Sequence, residues 1–107
     1  MTKDDLIDCH NRIQPFIHNT PILTSRLVNN LVGTSVYFKC ENFQKTGAYK
    51  MRGATNAIMQ LTNDQKAKGV VTHSSGNFAQ ALSLAAQSLN VKATIIMPSN
   101  SPMVKKN

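Results

Sequence analysis

Lys50 is the residue of this 107-residue sequence best suited to covalent chemistry, because small residues surround it at the predicted start of a helix. Gly47, Ala48 and Gly53 leave its surroundings sterically open, and Gly47 permits a positive φ or the close approach of a ligand. The positive end of the helix dipole favours the neutral amine, and partial burial would favour it further. A neutral lysine amine forms Schiff bases with carbonyl compounds. A lone lysine is more often a solvated surface charge, so this stretch alone does not decide between the two interpretations.

Residues 70–82 form a second candidate site, in which an apolar strand leads through a turn of small residues into a helix. The turn reads Ser74, Ser75, Gly76 and Asn77. Backbone N–H groups exposed by such a turn bind anions. Taken alone, Ser75 is a small turn residue and Asn77 a helix N-cap.

Together, the two stretches closely resemble the serine racemase and serine/threonine dehydratase group of fold-type II pyridoxal phosphate enzymes. Residues 46–54 read TGAYKMRGA and match the pattern T-G-[SA]-[FY]-K-x-R-G-A, and residues 74–81 read SSGNFAQA and match S-[SA]-G-N-x-x-Q-A. The resemblance extends from about Thr20 to the last residue. It implies an α/β chain with the fold-type II, tryptophan synthase β-like architecture, of which a βαβ unit would occupy about residues 70–97.

The resemblance also implies roles for individual residues. Lys50 would hold pyridoxal 5'-phosphate and act as a base on one face of the substrate Cα carbon. Ser75 has the position of the acid or base on the opposite face in serine racemases, whereas many dehydratases carry alanine there. Asn77 would bind the ring oxygen of the cofactor, and the backbone of residues 74–78 would bind the substrate carboxylate. The substrate-binding residues would thus be Ser74, Ser75, Gly76 and Asn77.

Further positions match residues that help to bind an activating nucleotide at the subunit interface of eukaryotic serine racemases. These are Lys45, Thr46 and Gln80, with Ser25 nearby. The resemblance therefore implies ATP and a divalent cation, Mg²⁺ or Ca²⁺, as ligands of the full-length form, and a homodimer. Phe78 departs from the histidine that is common at its position, which affects substrate choice, and Tyr49 replaces a phenylalanine.

Composition sets limits on the function. Twelve Lys and Arg residues against five Asp and Glu residues give a formal charge of +7, but the basic residues are scattered, which favours a solvated surface over a nucleic-acid interface. The Cys and His residues lack zinc-site spacing, so no metal site is predicted within the chain. No apolar run approaches the ~20 residues that span a bilayer. We therefore expect a cytoplasmic protein without membrane or nucleic-acid partners.

The elements that position these residues follow from local signals. Thr2 and Asp5 resemble a capping box for a helix over about 3–14, and Ser25 is a plausible N-cap for a short helix with Leu27, Val28 and Leu31 on one face. A strand over 36–38 leads to the lysine stretch, and a helix follows from about 50 to 61, with Met51, Ile58 and Leu61 in the core. Arg52 is expected to make an ion pair near this stretch. Thr62 begins a short helix that ends at Gly69.

Residues 1–68 are predicted to belong to a large cofactor-binding domain, and residues 69–107 to the start of a small mobile domain. Ser101 and Pro102 favour the start of a further helix, so we expect the N-terminal fragment of a longer enzyme. The glycine-rich phosphate loop and the cation site of the resembled family would lie beyond Asn107.

The predicted function is a racemase or ammonia-lyase that acts on serine or a related β-hydroxy amino acid. One alternative is a dehydratase of threonine or 3-hydroxyaspartate. A second alternative is a non-catalytic truncated product, which at most associates with a full-length partner. Because the chain is basic, a third alternative is a nucleic-acid binder, which steeply salt-dependent DNA binding would distinguish from the other two.

Overall fold

The computed structural model describes residues 1–102, which form five α-helices and four short strands. The helices are α1 (Lys3–Ile13), α2 (Arg26–Val32), α3 (Lys50–Met59), α4 (Asn63–Lys68) and α5 (Asn77–Ser88), and the strands are β1 (Ile22–Thr24), β2 (Tyr37–Lys39), β3 (Val70–His73) and β4 (Ala93–Ile96). Along the chain they follow in the order α1, β1, α2, β2, α3, α4, β3, α5, β4. The helix predicted after Ser101 lies outside the described residues.

Short-range side-chain contacts fix the helix ends as the sequence predicts. Thr2 and Asp5 form the reciprocal capping box at the start of α1. The Ser25 hydroxyl accepts a hydrogen bond from the Val28 amide at the start of α2. Thr62 and Gln65 form a second capping box before α4. These caps satisfy N–H groups that a helix leaves without partners.

The four strands form two separate pairs. β3 and β4 are parallel, with Val70 beside Ala93 and His73 beside Ile96, and α5 connects them, so the predicted βαβ unit is confirmed. β1 and β2 are antiparallel, with Leu23 beside Phe38. The sequence analysis missed β1, although its β-branched and apolar residues follow directly after Pro21.

The core lies between α3 and α5. Met51, Ala54 and Ile58 of α3 pack in one cluster with Val91, which lies between α5 and β4, and with four residues of α5. These four are Ala81, Leu82, Ala85 and Ala86. Small alanine side chains let the two helix backbones approach closely, and the long Met51 side chain fills the remaining space. This core draws on both sides of the predicted domain boundary at 68/69, and the division into domains stays a prediction.

The predicted apolar faces of α3 and α2 are less buried in the structure than expected. α3 ends at Met59, and Leu61 beyond it is only half-buried rather than a core residue. Leu27 and Leu31 of α2 are 69% and 76% exposed, so the expected apolar face of α2 is not covered by the described residues. Helical periodicity predicts which residues share a face, but the neighbouring elements decide whether that face is buried.

Candidate active site

The chain reaches Lys50 through a tightly wound segment, residues 41–52, which we call the lysine turn. It consists of the 3₁₀ turns Glu41–Phe43 and Lys45–Gly47 followed by the first turn of α3. Gly47 has φ 67°, as the sequence analysis anticipated, and Thr46 before it has φ 62°. A left-handed residue other than glycine is unfavourable, so Thr46 marks local backbone strain. Lys50 is the first residue of α3, as predicted.

An ion pair connects the two ends of the lysine turn. Arg52 donates from Nε to Glu41 Oε2 at 2.9 Å and from Nη2 to Glu41 Oε1 at 2.7 Å, which confirms the ion pair predicted for Arg52. Thr20, which is buried, donates from its hydroxyl to Glu41 Oε1 at 2.6 Å. The hydrogen bonds from Arg52 lower the pKa of Glu41 to about 2, and those to Glu41 raise the pKa of Arg52.

Gln44 anchors the middle of the lysine turn to a distant part of the chain. Its side chain is buried, accepts hydrogen bonds from the His18 and Lys45 amides at 2.8 Å and 3.0 Å, and donates from Nε2 to the His18 carbonyl at 2.9 Å. His18 also donates from Nδ1 to the Phe43 carbonyl, over 3.1 Å, in the tautomer that carries a proton there. The sequence analysis gave Gln44 no role, because a glutamine carries no signal of a partner so far away in the sequence.

The Lys50 side chain is exposed, and its ammonium lies 4.9 Å from the centre of the Tyr49 ring. Partial burial, which would favour the neutral amine, is therefore not provided by the described residues. Tyr49 is itself 60% exposed. A cation over an aromatic ring is attracted by the electron density of the ring face, so Tyr49 offers the Lys50 ammonium a favourable contact in this arrangement.

The second candidate stretch forms a looser turn, residues 74–77, which we call the serine turn. The Ser74 amide donates to the Ile96 carbonyl at 3.0 Å, and the Gly76 amide approaches the Ser74 hydroxyl at 3.4 Å. Gly76 is the N-cap of α5, and Asn77 is the first helical residue, so the interpretation of Asn77 as N-cap is wrong. Gly76 can take the cap position because it adopts extended backbone there. The Asn77 side chain is exposed.

The N-terminus of α5 has the properties of an anion site. The first N–H groups of a helix have no partner within it, and the first turn of α5 contains no acidic side chain. Ser75 and Gly76 directly precede this turn. The predicted carboxylate-binding residues therefore lie together at one helix end.

Packing relates the two turns. The 3₁₀ turn Lys45–Gly47 contacts α5, and α3, which begins at Lys50, packs along α5. Phe78, in the first turn of α5, packs against the core cluster that contains Met51. The lysine turn and the serine turn thus begin two helices that share one core, and the fold holds the helices in a fixed relation.

The residues predicted to bind a nucleotide occupy different environments. Lys45 and Thr46 lie in the 3₁₀ turn that contacts α5, the helix that carries the exposed Gln80. Within residues 1–102 the Thr46 hydroxyl oxygen is buried without a hydrogen-bond partner. Ser25 lies on another element and uses its hydroxyl to cap α2. The nucleotide role of all four residues stays a prediction.

The described residues contain neither a cluster of metal ligands nor a membrane-spanning helix. Over residues 1–102, no group of three or more His, Cys, Asp and Glu side chains could hold a metal ion. No helix in this part of the chain is long and apolar enough to cross a membrane.

Comparison with known proteins gives consistent matches over almost the whole chain. The family model described as pyridoxal-phosphate dependent enzyme matches residues 13–107. The chain is 51% identical over 107 residues to a serine racemase of Dictyostelium discoideum, with 100% of the chain and 33% of the relative covered. It is 50% identical over 104 residues to an L-threo-3-hydroxyaspartate ammonia-lyase of Saccharomyces cerevisiae, covering 97% of the chain and 32% of the relative.

The structural comparison agrees with the sequence comparison. The crystal structure of the Dictyostelium discoideum serine racemase superposes with a TM-score of 0.95 at 51% identity, and covers 100% of this chain and 35% of that one. The predicted fold-type II α/β architecture is therefore confirmed. The chain spans about a third of the length of the relatives it matches.

Proposed function

This chain belongs to the family of pyridoxal-phosphate dependent enzymes, and from this premise we propose that the whole protein is an amino acid racemase and ammonia-lyase acting on serine or a related β-hydroxy amino acid. The observation that carries the proposal is the position of Lys50. Its exposed amine begins α3, and the turn before it contacts α5, which begins at the serine turn. Lys50 would hold a covalent group at the start of α3, and α5 would bind a carboxylate at its own start. Because α3 and α5 pack against each other, they would hold the two groups at a fixed distance.

The residues present fit a bound pyridoxal phosphate. Lys50 offers an accessible primary amine, and Asn77 offers an exposed carboxamide. Apart from its own chain neighbours, a Cβ atom added to Gly47 or Gly76 would meet no atom of the described residues within 4 Å, so both turns leave open space for a ligand. When bound, the group supplies a carbonyl for covalent attachment and a ring that accepts electrons from the substrate.

Lys50 and Ser75 would move protons at the substrate Cα atom. The Lys50 amine would hold the cofactor and, as a free base, would take or return the Cα proton on one face. The Ser75 hydroxyl does the same on the opposite face. Proton return on the opposite face inverts the amino acid, whereas loss of the β-hydroxyl leads to a keto acid and ammonia.

Ser74, Ser75, Gly76 and Asn77 would bind and orient the substrate and the cofactor. The free N–H groups at the start of α5 bind the substrate carboxylate, since the helix dipole and the absence of acidic side chains in the first turn both favour an anion. The Asn77 carboxamide would donate to the ring oxygen of the cofactor. Asn77 is exposed, and Ser74, Ser75 and Gly76 are half-buried, so a ligand can reach all four residues.

A dehydratase of threonine or 3-hydroxyaspartate is the second candidate function. It is supported by the 50% identity to the L-threo-3-hydroxyaspartate ammonia-lyase of Saccharomyces cerevisiae. Ser75 favours the racemase, because it supplies a hydroxyl where many dehydratases carry alanine. The ratio of racemisation to elimination therefore separates the two functions.

Several properties of the whole protein belong to the same proposal. We propose a cytoplasmic homodimer in which residues 1–68 belong to the large domain and residues 69–107 begin the small domain. Lys45, Thr46 and Gln80, with Ser25, would contribute to an ATP site, and a divalent cation would bind outside this chain. The similarity to serine racemases supports these assignments.

Covalent labelling of the whole protein tests the role of Lys50. Pyridoxal phosphate is added, the complex is reduced with borohydride, and peptide mapping locates the label. We expect the label on Lys50 and its loss in Lys50→Ala, whereas Lys68→Ala, at an exposed lysine of α4, keeps it. Equal labelling of many lysines would contradict the proposal.

Chiral analysis of the products tests the role of Ser75. In Ser75→Ala, racemisation of serine should fall by roughly a hundredfold while the elimination reaction persists, because only the proton transfer on one face is lost. Ser83→Ala, on the exposed side of α5, is the matched control. Equal loss of both reactions would assign Ser75 to binding rather than to proton transfer.

A further inference from the structure

The lysine turn needs external support to keep Lys50 in one position. Thr46 and Gly47 are consecutive residues with left-handed backbone, at φ 62° and 67°. Glycine adopts this conformation without strain, but Thr46 does not, and strain at such a residue persists only where the surrounding contacts hold the backbone. An exposed lysine on such a segment would otherwise present its amine in many orientations.

Glu41 and Arg52 supply a support that closes the turn. Glu41 is the first residue of the 3₁₀ turn at its entrance, and Arg52 lies in the first turn of α3 at its exit. The two parallel hydrogen bonds between them, at 2.9 Å and 2.7 Å, fix the orientation of both side chains as well as their distance. The pair thus connects residues on either side of Lys50 without involving Lys50 itself.

Thr20 and Lys39 hold this pair against the segment before β1. The buried Thr20 donates from its hydroxyl to Glu41 Oε1 at 2.6 Å, and Arg52 Nη2 lies 3.3 Å from the same hydroxyl. Lys39 donates from Nζ to the Thr20 carbonyl at 2.7 Å. Both carboxylate oxygens of Glu41 are therefore occupied, which leaves the side chain one orientation.

We propose that Glu41 and Arg52 are positioning residues, which hold the amine of Lys50 where it reacts with the cofactor. This inference rests on the proposed function of Lys50. The buried apolar core lies elsewhere, between α3 and α5, and the ion pair is partly exposed, with 26% of the Arg52 side chain and 19% of the Glu41 side chain accessible. Pairs of this exposure contribute modestly to global stability, so their main effect is on local geometry.

The test measures cofactor affinity and the site of labelling in the whole protein. Glu41→Gln, Arg52→Gln and the double variant are titrated with pyridoxal phosphate by absorbance, and the borohydride-reduced products are mapped. Each single variant should bind the cofactor roughly tenfold more weakly, with a smaller share of the label on Lys50. The double variant should lose no more than either single variant, because both changes remove the same interaction.

Arg12→Gln is the matched control. Arg12 Nη1 donates to Asn56 Oδ1, which connects α1 to α3 away from the lysine turn. This variant should lower the unfolding temperature while cofactor affinity and the share of label on Lys50 stay at wild-type values.

Arg52→Lys keeps the charge and can donate only one of the two parallel hydrogen bonds, so its loss of affinity should be intermediate. If Arg52→Gln does not fold, the cofactor affinity and labelling of Arg52→Lys test the positioning role instead. Wild-type affinity and labelling in Glu41→Gln and Arg52→Lys, with only the unfolding temperature lowered, would overturn the positioning role. A wild-type protein that does not label at Lys50 would overturn both the proposed function and this inference.

Discussion

The two candidate turns of this chain begin neighbouring helices but are held in place in different ways. In the lysine turn, the side chains of Glu41, Gln44 and Arg52 make hydrogen bonds to one another or to distant backbone. In the serine turn, the Ser74 amide bonds to Ile96, and a long 3.4 Å contact joins Gly76 to the Ser74 hydroxyl.

The difference matches the chemistry that we propose for each turn. A residue that forms a covalent bond gains from a fixed position, because misplacement of a reacting atom costs rate. A turn that binds a carboxylate through backbone N–H groups must leave those groups free. The lysine turn is thus secured by side chains, whereas the serine turn uses the Ser74 amide for its own support and leaves the first amides of α5 available for a ligand.

The largest expected effect comes from the core beneath both turns. Met51 is fully buried between α3 and α5, so Met51→Ala should destabilise the protein by about 2–5 kcal/mol and loosen both turns together. Urea unfolding of the whole protein measures the loss. Leu27→Ala, at a residue that is 69% exposed, is the control and should change stability by about 0.5 kcal/mol or less. A small effect at Met51 would show that the turns do not depend on this core.

Acid should weaken the lysine turn selectively. Arg52 lowers the pKa of Glu41 from 4.5 to about 2, so the folded protein binds this proton less readily than the unfolded chain. The stabilisation is therefore complete above about pH 4.5 and is lost as the pH falls towards 2. Because both side chains are partly exposed to solvent, the contribution should be modest, about 1 kcal/mol.

Thermal unfolding between these pH values measures this contribution. Glu41→Gln, which cannot titrate, should be less stable than the wild type at neutral pH, and the difference between them should shrink in acid. If the difference in stability between the wild type and Glu41→Gln stayed constant over this pH range, the Glu41–Arg52 pair would not be the cause of the acid sensitivity.

Removing the Gln44 side chain should leave the lysine turn as loosely held as the serine turn, which amide hydrogen exchange can measure. In Gln44→Ala, the amides of His18 and Lys45 lose their acceptor, and their hydrogen exchange should become roughly tenfold faster. In Ser74→Ala, exchange of the Gly76 amide should change by less than about twofold, because the 3.4 Å contact is weak. Similar changes in both variants would remove the distinction between the turns.

The smallest expected effect is a difference in stability between alanine substitutions at Gly47, in the lysine turn, and at Gly76, in the serine turn. Gly47 has φ 67°, so Gly47→Ala should cost about 1 kcal/mol through backbone strain. Gly76 has extended backbone and open space around it, so Gly76→Ala should change the unfolding free energy by about 0.5 kcal/mol or less. Equal losses in urea unfolding would mean that the backbone of Gly47 can relax to a negative φ.

Much of the candidate site was predictable because its signals are local. The sequence placed Lys50 at the start of a helix and Ser75 in a turn between a strand and a helix, and it anticipated the positive φ of Gly47. The ion pair of Arg52 was also expected, but its partner was not named. Glu41 precedes Arg52 by eleven residues, and only the folded turn brings the two side chains together.

The missed elements depend on distant partners. β1 is a three-residue strand that exists through its pairing with β2, and the apolar face of α2 is exposed because no described element packs on it. Gln44 carries no signal in the sequence of its contact with His18, 26 residues away. These features could not be derived from periodicity or from local propensity.

The sequence by itself determined the helix ends at Thr2, Ser25 and Thr62, because each capping side chain reaches an amide within three residues along the chain. It also determined the order of strand, turn and helix that carries Lys50 and Ser75. Only the tertiary structure decided which apolar faces are buried and how the lysine turn is secured. Burial and long-range hydrogen bonds depend on which segments meet in space, and that is settled by the packing of the whole chain.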